Sequence, residues 1–365
     1  VTPSARVAAL VGGVLGVAAA GAAIAVRASR AKTAEPVDPD GLAGLGEWTP
    51  TRASTVAAAD GVALSVEETD PADGGAPDLT VVLVHGFALS RRCWHFQHAA
   101  LEAMTAPRVR QVLYDNRSHG RSGRTDTAGS TIEWVAKDLD EVIRAVAPTG
   151  PLVLVGHSMG GMAIMALAEL RPELFADRVR GVALIGTSAG EVGKRGLPRP
   201  LLSKYNPLTR VIGEVARWQP GLVELARAAG GHLTRRAVRS LGFGSRDVPP
   251  ALVDFLVAML DETPVGVLAA FTRTLGEHDR YAALAGLRHC RVLVLSGDED
   301  TMTPFSHAER VAAELPSATL VRVRGAGHMV MMEQPEVVNG HLAVLLRECA
   351  ADGSGANGKK WWRRA

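Results

Sequence analysis

Cysteine is scarce in this chain: Cys93, Cys290 and Cys349 are the only three in 365 residues, odd in number and far apart. That leaves no paired disulfide framework and no zinc-ligand spacing, and it favours a reducing compartment. An excess of one charge is missing too. Forty Lys and Arg stand against 38 Asp and Glu, a formal net charge of +2, so nothing global points to nucleic acid or to a polyanionic substrate. No internal repeat is visible, which sets aside repeat architectures. His85, His95 and His98 lie close in sequence, but no carboxylate or cysteine completes a metal set with them, and neither a metal nor a cofactor is expected. The length suits one large α/β domain carrying an insertion.

One long apolar run is present. Val7–Val26, "VAALVGGVLGVAAAGAAIAV", is twenty uncharged residues between Arg6 and the trio Arg27, Arg30 and Lys32. That length spans a bilayer, so residues 1–32 are expected to be a membrane anchor, with a signal segment as the rival reading. The more positive flank stays inside, which puts the rest of the chain on the cytoplasmic side, export being the alternative. Residues 33–50, rich in Pro, Gly and Asp, read as a linker.

Beyond the linker, "STVAAADGVALSVEE" turns around Asp60-Gly61 as a hairpin. Bare apolar runs follow, "LTVVLV", "VRQVLY", "LVLV", "VRGVALI", "RVLVLS" and "TLVRV", of the kind that strands covered on both faces require. Helical stretches lie between several of them; one, Trp134 to Val146, carries Val135, Leu139, Val142 and Val146 on a single stripe. The expectation is an α/β fold, a mostly parallel sheet of about eight strands flanked by helices. The alternation stops over 190–287, which reads as a helical lid inserted between core segments 51–189 and 288–350. Residues 351–365, ending in "KKWWRR", read as a flexible basic and aromatic tail, whose charges would be drawn to an anionic leaflet.

"GHSMGG" at 156 stands where the strand "PLVLV" ends and a helix begins. Gly-x-Ser-x-Gly in that setting is a nucleophile elbow: a tight turn presents the Ser158 hydroxyl, and small neighbours relieve the crowding. A hydroxyl at its ordinary pKa is a poor nucleophile, so it needs a base, an orienting acid and donors for a developing oxyanion. "VRVRGAGHMV" supplies His328 after the last strand, and "RVLVLSGDEDTMTP" supplies Asp300, with Asp298 as the alternative acid. The backbone amides of Phe87, in "VLVHGF", and of Met159 suit an oxyanion hole, and His85 reads as structural. In the insertion, Leu252, Phe255, Leu256 and Met259 fall at helical spacing and are candidate pocket residues for an apolar acyl chain.

With "HGF" at 85, "YDNRSHGRS" at 114, "GHSMGG" at 156, "GDEDTMTP" at 297 and "GAGHMV" at 325, the chain resembles the α/β-hydrolase-fold superfamily, in its lidded serine esterase, lipase and haloperoxidase-like group, over residues 50 to 350. The order Ser, Asp, His is the one this fold uses. One departure is Ser118, where the family has a glycine in a structural loop. The resemblance implies a serine hydrolase of carboxylic esters, acting through an acyl-enzyme on a small-molecule substrate. Thioesterase, carbon–carbon bond hydrolase and acyltransferase activities would use the same three residues, and a receptor or a membrane-organising protein could keep the scaffold without the chemistry.

Overall fold

The structure, a computed structural model, describes residues 42, 44–192, 231–245 and 247–354. The expected anchor Val7–Val26 and the "KKWWRR" tail lie outside the described residues, and among those described no helix is long and apolar enough to cross a membrane.

The strands are β1 (Arg52–Ala57), β2 (Ala63–Thr69), β3 (Leu79–Val84), β4 (Val109–Tyr114), β5 (Leu152–His157), β6 (Val179–Ile185), β7 (Arg291–Gly297) and β8 (Thr319–Val323). They form one sheet in the order β1-β2-β4-β3-β5-β6-β7-β8. The β1–β2 hairpin and the β2–β4 pair are antiparallel; every other pairing is parallel. The runs without alternation are the inner strands: β3 and β5 are buried at every position, whereas the edge strands β1 and β8 are mostly exposed. This follows from helices covering both faces of the parallel part.

The described helices are α1 (His95–Glu102), α2 (Ile132–Val146), α3 (Met159–Leu170), α4 (Pro172–Asp177), α5 (Gly231–Gly242), α6 (Pro250–Asp261), α7 (Val265–Glu277), α8 (Phe305–Glu314), α9 (Val330–Glu333) and α10 (Pro335–Ser354). Thr131 caps α2 by accepting the Trp134 amide, and the stripe of Val135, Leu139 and Val142 belongs to one buried cluster with Val82, Val84, Leu154 and Leu184 of the sheet. The opposite sheet face, with Val81, Leu83, Val153 and Val155, belongs to a second buried cluster together with Leu101 of α1 and Leu342, Leu345 and Leu346 of α10. Alternate residues of one strand thus feed two cores.

Two boundaries differ from expectation. The linker is docked rather than free at its end: Trp48 stacks on His98 with ring centroids 4.6 Å apart, lies under the Arg92 guanidinium at 4.1 Å, and donates its indole N–H to Glu67 at 2.9 Å. The tail begins later than 351, because α10 runs to Ser354 and Arg291 holds Asp352 at 2.6 Å. The insertion enters after β6 and returns before β7, and its described part is helical.

Candidate active site

Ser158 is the N-cap of α3, directly after β5, with φ 51° and ψ −117°. That is the left-handed half of conformational space, where a residue with a Cβ costs of order 1–3 kcal/mol and must be held by its surroundings. It is held by four hydrogen bonds. Its amide donates to Ile185 O at 3.0 Å, and its carbonyl accepts from Gly161 N at 3.0 Å, Met162 N at 3.2 Å and Thr187 Oγ1 at 2.7 Å. The glycines of the motif are required by contact. A Cβ on Gly156 would fall 2.6 Å from Gly161 N, and one on Gly160 would fall 2.1 Å from Val84 O, so the start of α3 lies backbone to backbone against the end of β3.

His328 and Asp300, from the loops after β8 and β7, are brought together: His328 Nδ1 stands 2.8 Å from Asp300 Oδ2. The remaining capacity of Asp300 is filled. Its Oδ1 accepts the Met302 and Thr303 amides, each at 2.8 Å, and its Oδ2 accepts the Thr303 hydroxyl at 2.8 Å. Burial alone would raise the Asp300 pKa, but His328 and these donors outweigh it and hold the carboxyl below its ordinary value. An acceptor-only carboxylate at Nδ1 fixes the imidazole tautomer and leaves Nε2 as the basic nitrogen. Asp298 is placed elsewhere: it accepts the Gly325 amide at 2.7 Å, tying down the loop that leads to His328. His157 adds a further hold, donating from Nε2 to the His328 carbonyl at 2.9 Å. Burial pulls His157 down to about 3, with the neighbouring His328 adding to the effect.

The amides of Phe87 and Met159 have no hydrogen-bond partner among the described residues, the condition a backbone oxyanion hole requires. Two buried histidines shape the Phe87 loop. His85 uses Nδ1 on Gly86 O at 2.7 Å and accepts Asn116 N at Nε2 at 2.9 Å; His119 uses Nδ1 on Arg117 O at 2.8 Å and accepts Ala88 N at Nε2 at 3.1 Å. Each ring must therefore be neutral, with its proton on Nδ1. Burial pulls His85 down to about 4 and His119 to about 3. Ser118, at the family's glycine position, has φ 63° and accepts Thr125 N on its hydroxyl at 2.9 Å, so a serine adopts the conformation a glycine would favour. Nothing in the spacing of His119 or His157 marks a role for either; only the folded hydrogen-bond pattern supplies one.

Ser158, His328, Phe87 and Met329 open on one cavity of about 460 Å³. Its other walls come from α5, α6 and α7, with Val238, Leu241, Leu256 and Leu275 prominent, and hydroxyls at Thr234 and Thr272. No Asp, Glu, Lys or Arg lines it among the described residues. Of the four expected pocket residues, only Leu256 does so. Leu252 and Met259 are buried in the core cluster on the α1 side of the sheet, and Phe255 packs against that cluster beside Gly46. Their helical spacing marks a buried face of α6 in the core, of which Leu256 also lines the cavity. His95 and His98 lie away from His85: His95 Nδ1 accepts Gly46 N at 3.2 Å, and His98 Nε2 pairs with the Thr69 hydroxyl at 3.1 Å.

The family profile described as "Alpha/beta hydrolase family" matches residues 81–341. A pimeloyl–acyl-carrier-protein methyl ester esterase from Aromatoleum aromaticum is 28% identical over 271 residues, 71% of this chain and 94% of that protein. The dihydrolipoyllysine-residue acetyltransferase component of an acetoin cleaving system from Pseudomonas putida is 28% identical over 284 residues, 76% of this chain; the match spans only 65% of that relative. Among solved structures, a thermophilic esterase from Thermogutta terrifontis, with malate bound, is similar at a TM-score of 0.63 and 25% identity, over 82% of this chain and 99% of that one.

Proposed function

Because the chain belongs to the alpha/beta hydrolase family, we propose that it is a serine hydrolase of uncharged carboxylic esters with an apolar acyl or alcohol part. One observation carries the reading: His328, paired with Asp300 at 2.8 Å, and a serine on a strained elbow open on one cavity whose described walls bear no charged side chain.

In this mechanism His328 Nε2 takes the Ser158 proton as Oγ attacks the ester carbonyl, and Asp300 stabilises the imidazolium. The carbonyl oxygen becomes an oxyanion between the Phe87 and Met159 amides. Collapse expels the alcohol, which receives the proton from His328 and leaves the acyl group on Ser158. Water, deprotonated by the same imidazole, then attacks the acyl carbonyl, and Ser158 departs with the proton returned by His328, releasing the acid. Esterases among the similar proteins support the ester class. The test is a panel of p-nitrophenyl esters of rising acyl length, run beside Ser158→Ala and beside fluorophosphonate labelling. Hydrolysis that survives in Ser158→Ala would overturn the reading.

The uncharged run Val7–Val26, with its basic flank at Arg27, Arg30 and Lys32, supports attachment to a membrane with the hydrolase on the cytoplasmic side. Protease treatment of right-side-out vesicles tests it: cleavage of the hydrolase without lysis would put it outside.

A further inference from the structure

We propose that Glu333 is a positioning residue for His328: its carboxylate ties the loop carrying His328 to the segment that follows α5 in the insertion, and so sets where the imidazole stands. The inference rests on the reading of Ser158, Asp300 and His328 as catalytic.

Glu333 ends α9, five positions after His328. Its Oε2 accepts the Gly327 amide at 2.7 Å, its Oε1 accepts the Ser245 amide at 2.6 Å, and both oxygens lie 3.1 Å from the Gly244 amide. One side chain thus gathers three backbone donors from two distant segments. On the other side of His328, the Met329 amide donates to Gly242 O at 2.7 Å. The residue after His328 is therefore bonded to the insertion directly, and the residue before it through Glu333. The two segments touch through backbone: a Cβ on Gly327 would fall 2.4 Å from Gly244 N, and one on Gly244 would fall 2.6 Å from Gly325 O. Neither segment can slide past the other without breaking these contacts.

A carboxylate suits this place because it only accepts, and three N–H groups converge there. Glutamine would keep the length but turn an NH₂ donor toward one of the amides. Aspartate would keep the charge but fall one methylene short of spanning both loops. If the loop shifts, the 2.8 Å bond from His328 to Asp300 is the geometry that suffers, and small misplacements of a catalytic base are expensive.

The experiment compares Glu333→Gln, Glu333→Asp and wild type on one ester, with rates normalised to sites titrated by a fluorophosphonate. Both variants should lose roughly tenfold in kcat with KM within about twofold, and the downfield proton resonance of His328 Nδ1–H should move or broaden in both. A purely structural role would lower melting temperature and leave kcat per titrated site and the resonance unchanged, which would overturn the proposal. So would wild-type behaviour of Glu333→Asp, since charge alone would then account for the effect. Should the variants not fold, hydrogen exchange on the wild type decides: the Gly244, Ser245 and Gly327 amides should exchange together, and unrelated rates would overturn the link. Ser158→Ala serves as the separate control. An active Ser158→Ala sinks the catalytic reading itself, whereas an inactive one beside unaltered Glu333 variants sinks only this inference.

Discussion

The two walls of the cavity are built on opposite terms. On the sheet side, Ser158 has its backbone fixed by four hydrogen bonds, Asp300 accepts from four donors, and α3 begins in backbone contact with Val84. Across from it, α5, α6 and α7 present Val238, Leu241, Leu256 and Leu275, whose contacts have no direction. Directional bonds hold atoms to a few tenths of an ångström; apolar packing holds volume. On the proposed reading, chemistry belongs to the first wall and substrate choice to the second, and substitutions should separate them by both size and kind of effect.

The largest effect is expected at the rigid wall. Ser158→Ala and His328→Ala should each cut kcat by several orders of magnitude, as members of a triad that act as a unit, while circular dichroism and melting stay near wild type. Next, Asp300→Asn should cost on the order of 10⁴ in kcat through the wrong tautomer. Asp298→Asn should cost far less, because Asp298 accepts only the Gly325 amide. A reversed ranking in steady-state rates would move the acid to Asp298 and break the assignment.

A third test uses acid. His85 and His98 sit near 4 in the fold, His119 and His157 near 3 and His278 near 4, burial being the leading cause for each. An exposed imidazole titrates near 6.5, so between that value and about 3–4 the unfolded chain binds more protons. Stability from these groups is complete above pH 6.5 and falls as pH drops through the window, by up to about 1.4 kcal/mol per unit for each ring. Urea midpoints from pH 8 to pH 4 measure it; a flat profile would mean the rings are not buried and neutral. Because His85 and His119 shape the Phe87 loop, activity should be lost no later than the fold.

Smaller effects belong to the apolar wall. Leu256→Ala or Leu275→Ala should shift the preferred ester toward longer chains, changing the ratio of kcat/KM between octanoate and butyrate by about tenfold, with Ser158 labelling unaffected. Smallest of all, removing residues 1–41 should leave kcat unchanged and release the protein from sedimented membranes; a large fall in kcat would tie that segment to the active-site wall.

Legibility in the chain follows the same division. The inner strands could be read because a strand buried on both faces has no polar position to interrupt it, as in "LTVVLV". The turn at Ser158 and the meeting of Asp300 with His328 could be read because strand-end loops carry glycines at fixed offsets, and those spacings are visible in one sequence. Of the expected pocket, only Leu256 could. Helical periodicity reports that one face of α6 is buried without saying against what, and Leu252, Phe255 and Met259 proved to face core rather than cavity. Glu333 carries no spacing signal at all, since its partners are backbone amides of glycine and serine, which any sequence provides.

On the ester reading proposed above, the substrate enters this chamber neutral and hydrolysis leaves an acid that ionises at neutral pH. Among the described residues of the wall, no Lys or Arg waits to receive that charge. A carboxylate confined against Val238, Leu241 and Leu275 loses its hydration with little in return, so the reaction turns a well-matched guest into a poorly matched one. The free acid should accordingly inhibit far more weakly than the uncharged alcohol or a methyl ketone of the same chain. On that reading, the uncharged wall favours release of the product acid over its retention.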